Sequence, residues 1–185
     1  MKQEIDIRKI EDAAQRLRAI AHPMRIKIIS ILEIGKNWNP DDDKQLNSLE
    51  KLCEKDHKNE KILIFTQFAD TAYYLFEHLK KRGLKNIACA TGDLENPTDL
   101  AHRFSPVSNK VKNVKDEIRI LISTDVLSEG QNLQDAHIIV NYDLPWAIIR
   151  LIQRAGRVDR IGQTFDKILC YSFLPSRVHQ DVPAV

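Results

Sequence analysis

Five short aliphatic runs constrain this chain more than any other feature: KILIF (61–65), NIACAT (86–91), IRILIST (118–124), HIIVNY (137–142) and KILCYSFL (167–174). Each is rich in β-branched residues and apolar at successive positions, so each reads as a strand buried on both faces. Amphipathic helical patterns separate them, notably ADTAYYLFEHLKKRG (69–83), which Gly83 should stop, and NPTDLAHRF (96–104). Buried strands alternating with helices predict an α/β fold, a parallel sheet with helices on both faces and right-handed crossovers. Residues 60–175 should form such a lobe by themselves, with ligands gathering at the carboxyl ends of the strands. The Lys-rich stretch SPVSNKVKNVKDE (105–117) is expected to be the most mobile loop.

Before Lys61 the texture differs. Residues 5–34 carry Ile7, Ile10, Ala14, Leu17 and Ala21 at helical spacing, broken at Pro23. KNWNPDDDK (36–44) reads as a linker, and DKQLNSLEKLCEK (43–55) as a helix with a stripe of Leu46, Leu49, Leu52 and Cys53. The expected division is a helical extension over 1–38, a linker and lead-in helix over 39–60, and the sheet lobe over 61–185. A hydrophobic fraction of 43% supports a real core, and a net charge of +2 excludes binding nucleic acid through bulk charge. Cys53, Cys89 and Cys170 are scattered without a CxxC pair, which fits a reducing, cytoplasmic setting and no metal site. Cys89 and Cys170 lie in apolar runs and read as core residues. No signal peptide or membrane-spanning run is present, and the end at HQDVPAV reads as that of a piece of a longer protein.

Two segments carry chemistry. In AIIRLIQRAGRVDRIG (147–162), helical spacing puts Ile148, Leu151, Ile152, Ala155 and Val158 on an arc facing the sheet. Arg150, Gln153, Arg157 and Arg160 then lie on the opposite arc, with Gly156 beside them. Arginines alone usually mean a solvated, salt-bridged helix face. A mid-helix glycine costs about 1 kcal/mol against alanine, so Gly156 argues for close approach of a backbone or a ligand. Guanidinium forks suit a phosphate. In ILISTDVLSEGQNLQ (120–134) a strand ends in Ser123, Thr124 and Asp125, and a turn through Ser128, Glu129 and Gly130 follows. Hydroxyls and amides there can hold a phosphate oxygen, although such turns commonly carry these residues as caps.

Together KILIFTQF, ISTDVLSEGQNLQDAHIIVNYDLPW and QRAGRVDRIGQ resemble motifs IV, V and VI of superfamily 2 helicases, most of all the Swi/Snf-type DNA-dependent ATPases. The resemblance covers roughly residues 43–175 and implies the second, C-terminal RecA-like lobe of a two-lobed motor. It implies that Arg157 and Arg160 act as arginine fingers on ATP, with Gln153 coupling the γ-phosphate to DNA. It further implies that Asp125, Glu129, Gly130 and Gly156 line the nucleotide side. Thr66, Gln67, Thr91, Gly92, Ser123 and Thr124 would contact the double-stranded DNA backbone. Trp146 is followed by Ala147 and Ile148 where the family often has Asn-Pro. No GxxxxGK[ST] loop occurs, so ATP and Mg2+ would be held mainly by the first lobe, the implied partner, and this chain would be inactive alone. Asp143 reads as a turn residue before Pro145. LRAIAHPMRIKIISILEIG (17–35) resembles the opening helices of ArsR-type winged-helix repressors, but no recognition helix or wing follows, which favours an accessory helical pair. Three alternatives stay open: a nucleic-acid-binding module with a degenerate nucleotide face, an RNA helicase lobe of the same superfamily, and a transcriptional regulator.

Overall fold

Each aliphatic run supplies one four-residue strand: β1 (Ile62–Phe65), β2 (Ile87–Ala90), β3 (Ile120–Ser123), β4 (Ile138–Asn141) and β5 (Leu169–Ser172). The structure, a computed structural model, describes residues 39–92, 96–125, 131–145 and 147–173. The chain divides into two compact units, Met1–Asp43 and Lys44–Val185. In the first, the described residues form a 3-10 turn over Pro40–Asp42, with Asn39 accepting from the Asp41 amide at 3.1 Å. The helical pattern over 5–34 and the winged-helix resemblance lie outside the described residues.

In the second unit the strands form one sheet in the order β2-β3-β1-β4-β5, parallel throughout, with Ile62 of β1 aligned to Ile120 and Ile138 of its neighbours. The period of two sends successive side chains to opposite faces. Ile62, Ile64, Ile120, Ile122, Ile138 and Val140 pack under α1 (Lys44–Lys51) and α2 (Ala69–Lys81). Leu63, Phe65, Leu121 and Ile139 pack on the other face with α3 (Pro97–Phe104), Leu133, Ala136 and Val158. The three central strands are buried along their whole length, and the expected α/β architecture with helices on both faces is found.

Local chemistry explains the element ends. Gly83 adopts φ +97° just past α2, the Leu84 amide donates to Leu79 O and the Gly83 amide to Lys80 O, both at 3.1 Å. That is a Schellman stop with Leu79 and Leu84 in the same core cluster. At the start of α3, Asn96 accepts from the Asp99 amide at 3.2 Å and proline occupies the first helical position.

Leu46, Leu49, Leu52 and Cys53, the apolar stripe expected on the lead-in helix, all enter the sheet core. Beyond α1 the chain makes a π-helical turn over Leu52–Asp56, and Arg119 Nη1 donates to the carbonyls of Cys53 and His57, each at 3.1 Å. The loop over 105–117, expected to be mobile, is pinned: Asp135 accepts from the amides of Val107 and Ser108 at 2.8 Å and from the Ser108 hydroxyl. Cys170, expected in the core, is exposed, because β5 is one of the two edge strands and only its Leu169 packs against the core.

Candidate functional site

From β1 the chain leaves towards β2, whereas from β4 it leaves towards β5. Connections diverging from neighbouring strands open a crevice at their carboxyl ends. Its floor is the junction of β1 and β4. Asp143 accepts from Thr66 Oγ1 at 2.5 Å and from the Gln67 amide at 2.9 Å, while Gln67 Nε2 donates to Leu144 O at 2.9 Å. Asp143 is a turn residue, as its place before Pro145 predicts, and its carboxylate ties the two strand ends together.

Over this crevice lies α4 (Ile148–Ala155). Its orientation matches the expected arc only in part: Ala155 and the following Val158 pack on the core, but the isoleucines do not. Ile148 and Ile152 are 74% and 62% exposed, whereas Arg154 is 1% exposed. Arg154 Nε donates to Asp125 Oδ1 at 2.8 Å, Nη1 donates to Asn141 Oδ1 at 3.1 Å, and the guanidinium carbon stands 5.1 Å from the centre of the Phe65 ring. Arg150, placed by spacing on the outward arc, donates from Nη1 to Asp125 Oδ2 at 2.7 Å. The carboxylate therefore clamps two turns of the helix to the end of β3. Burial tends to raise the Asp125 pKa, but the hydrogen bonds from Arg154 and Arg150 and their charges outweigh it and hold the carboxyl below its usual value. Nη2 of Arg154 is buried and has no hydrogen-bond partner among the described residues.

The physical reason for the rotated helix is the partner set. A buried guanidinium is tolerable only when paired and hydrogen-bonded. Phe65 and Asn141, the last residues of β1 and β4, and Asp125, two residues past β3, supply that environment. Periodicity counts an arginine as an outward residue, so this role was not legible in the segment itself; the one available signal was an acid two residues past a buried strand.

Gly156 follows α4 as its C-terminal cap and is not a mid-helix residue. The nearest atoms to a Cβ built there are the carbonyl oxygens of Ile152 at 3.3 Å and Gln153 at 3.7 Å, both from its own last turn, so among the described residues no second segment presses on it. Arg157 and Arg160 lie in the turn that follows, not on the helix arc expected for them. Gln153 and Arg160 are exposed and Arg157 is half-buried; Arg160 Nε donates to Gly156 O at 3.2 Å.

The residues expected on the nucleic-acid side split in two. Thr66 and Ser123 are fully buried and Thr91 nearly so. Their hydroxyls are committed: Thr66 to Asp143, Ser123 Oγ to Thr124 O at 2.6 Å, and Thr91 to the Tyr73 hydroxyl at 2.7 Å. These three shape the rim from inside and offer no surface for contact. Gln67 and Thr124 are half-buried and Gly92 is exposed, so these remain within reach of a ligand. Glu129, Gly130, Ser128 and Trp146 lie outside the described residues.

A sheet of this order, with arginines grouped after the helix that follows β4, can be compared with known proteins. Residues 44–162 match the helicase conserved C-terminal domain. The chain belongs to that family, the C-terminal lobe of superfamily 2 helicases. It is 33% identical over 108 residues to an uncharacterized ATP-dependent helicase, YqhH, of Bacillus subtilis, covering 58% of this chain and 18% of that protein. It is 31% identical over 121 residues to the ATP-dependent RNA helicase DBP3 of Saccharomyces cerevisiae, covering 65% of this chain and 22% of that protein. The helicase lobe thus spans about a fifth of the length of these relatives. Among solved structures, the C-terminal part of the Fun30 ATPase domain shares the fold with a TM-score of 0.60 at 23% identity, over 73% of this chain and 42% of that one. No helix among the described residues is long and apolar enough to cross a membrane.

Proposed function

We propose that this helicase C-terminal domain is the second lobe of an ATP-driven double-stranded DNA translocase of Swi/Snf type. In this reading Arg157 and Arg160 reach ATP held by a first RecA-like lobe, Gln153 links the nucleotide to DNA, and Gln67, Gly92 and Thr124 meet the DNA backbone. One observation carries it. Burial of Arg154 against Asp125 anchors α4 at the mouth of the crevice, so the turn carrying Arg157 and Arg160 starts from a fixed helix end, which supports this reading. Bound ATP supplies a γ-phosphoryl group whose developing charge guanidinium groups can neutralise. The two strand-end carboxylates among the described residues, Asp125 and Asp143, are both committed internally. The donor set therefore fits an anionic phosphate, and magnesium would be held by the first lobe. Three free cysteines agree with a reducing, cytoplasmic setting.

Similarity to DBP3, named an RNA helicase, favours a second reading, an RNA-dependent lobe of the same superfamily. Steady-state ATPase of the chain joined to its first lobe, with double-stranded DNA or RNA added, separates the two. The DNA reading expects stimulation by duplex DNA and little by RNA; the reverse pattern would reject it. Arg157→Ala or Arg160→Ala should lower turnover by roughly a thousandfold. Melting should barely change for Arg160→Ala, whose side chain is exposed, and modestly for the half-buried Arg157. Undiminished turnover in both variants would remove the arginines from the mechanism.

A further inference from the structure

The turn carrying Arg157 and Arg160 is held by a pair of glutamines that no motif role above accounts for. Gln163 follows the turn and Gln134 precedes β4. Gln163 Nε2 donates to Val158 O at 2.9 Å, Gln134 O at 3.1 Å and Ala136 O at 3.2 Å. Its Oε1 accepts from the Thr164 amide at 2.7 Å and the Phe165 amide at 3.1 Å. Gln134, 8% exposed, donates from Nε2 to Arg160 O at 3.0 Å and Ile161 O at 3.2 Å. Each carboxamide thus grips the backbone on which the other is mounted. Between them they hold the carbonyls of Val158, Arg160 and Ile161. The Leu133 amide adds a bond to Arg157 O at 3.4 Å.

We infer that Gln134 and Gln163 are positioning residues: an amide clasp that sets where the Arg157 and Arg160 side chains emerge, and through them the rate of phosphate chemistry. The inference rests on the arginine-finger reading. Exposed turns are ordinarily the low-stability end of a fold. This turn is outside regular secondary structure; Val158 anchors its start in the core, but Asp159, Arg160 and Ile161 are exposed, so packing of its own side chains does not fix its second half. There its shape depends on carbonyls engaged by side-chain amides. Displacing a reacting group by about 1 Å costs on the order of a hundredfold in rate. A two-hydrogen amide nitrogen facing three carbonyls cannot be replaced by an oxygen: a carboxylate there would set like partial charges at hydrogen-bond distance.

Gln163→Glu keeps shape and acceptor but removes the donor, and Gln134→Met keeps volume and removes both polar atoms. Measured in the chain joined to its first lobe, each should lower kcat for ATP roughly ten- to a hundredfold with KM changed less than about twofold. In the same proteins, backbone amide exchange over 157–163 should speed up at least about tenfold while exchange in β1, β3 and β4 is unchanged. The double variant should be no worse than the poorer single one, since both hold one turn. Faster exchange with unchanged kcat overturns the positioning role, and so does a lost kcat with exchange unchanged. If Arg157→Ala and Arg160→Ala also leave turnover intact, the arginine reading has failed, and the exchange measurement alone then reports whether the clasp holds the turn.

Discussion

Arg154 is the residue on which the site turns. Its guanidinium is 1% exposed and faces Asp125, whose side chain is 22% exposed. Removing Arg154 leaves Asp125 paired with Arg150 alone and takes away the donor to Asn141 Oδ1, at a cost of up to about 3 kcal/mol, the lower end for a fully uncompensated buried charge. Arg154→Met should therefore lower the melting midpoint markedly, whereas Arg150→Met, removing a side chain that is 54% exposed, should cost under about 1 kcal/mol. Acid provides a second handle. The folded Asp125 pKa lies below its ordinary value, so the stabilisation is present above the unfolded pKa, about 3.9, and is lost as pH falls through the folded value. Thermal melts of the native chain and Asp125→Asn should differ at pH 7 and converge towards pH 3. A gap that stays constant across that range would mean that the carboxylate charge is not what stabilises the pair.

Among the elements, α2 shows how much one terminus can carry. Gly83 holds φ +97°, and a Cβ added there meets nothing within 4 Å. The cost of Gly83→Ala is therefore purely that of placing an L-residue in left-handed backbone, about 1 kcal/mol. Gly92 is equally open to a Cβ and has no positive φ, so Gly92→Ala should leave stability nearly unchanged. Urea midpoints of the two variants test the pair of statements together, and equal losses would contradict them. α4 makes the complementary point. Of its expected sheet-facing arc, Ile148 and Ile152 end up in solvent while Ala155 and Val158 pack on the core, because a short helix at the carboxyl ends of the strands buries whichever face meets the strand-end acid and amide.

For the whole molecule, charge and burial limit what the isolated lobe can hold. Net charge is only +2, and three of the six residues expected on the DNA backbone are buried. With two or three phosphate contacts, affinity for duplex DNA should be weak. It should fall roughly ten- to fortyfold between about 50 and 200 mM salt. Fluorescence anisotropy with two unrelated DNA sequences checks this. Tight or sequence-dependent binding that persists at high salt would require a contact surface beyond the one described.

Strand positions, helix stops and the α/β class were legible along the chain because each depends on neighbours within a few residues. Runs of β-branched residues declare a strand buried on both faces, a glycine after a helix declares its stop, and Asn-Pro declares the next start. The motif order carried the family for a similar reason, since QRAGRVDRIGQ is contiguous. Hidden from the sequence were the facts that depend on residues meeting across the sheet. Arg154 finds Asp125 from 29 residues away and Asn141 from 13, and Gln163 finds Gln134 from 29. Thr66, Thr91 and Ser123 looked like surface hydroxyls until their partners buried them, and the 105–117 loop looked loose until Asp135 took its amides. Periodicity reports which residues of one segment share a face. Whether a polar group on that face can be buried depends on the free energy of pairing it, and that is set by what other segments bring to it.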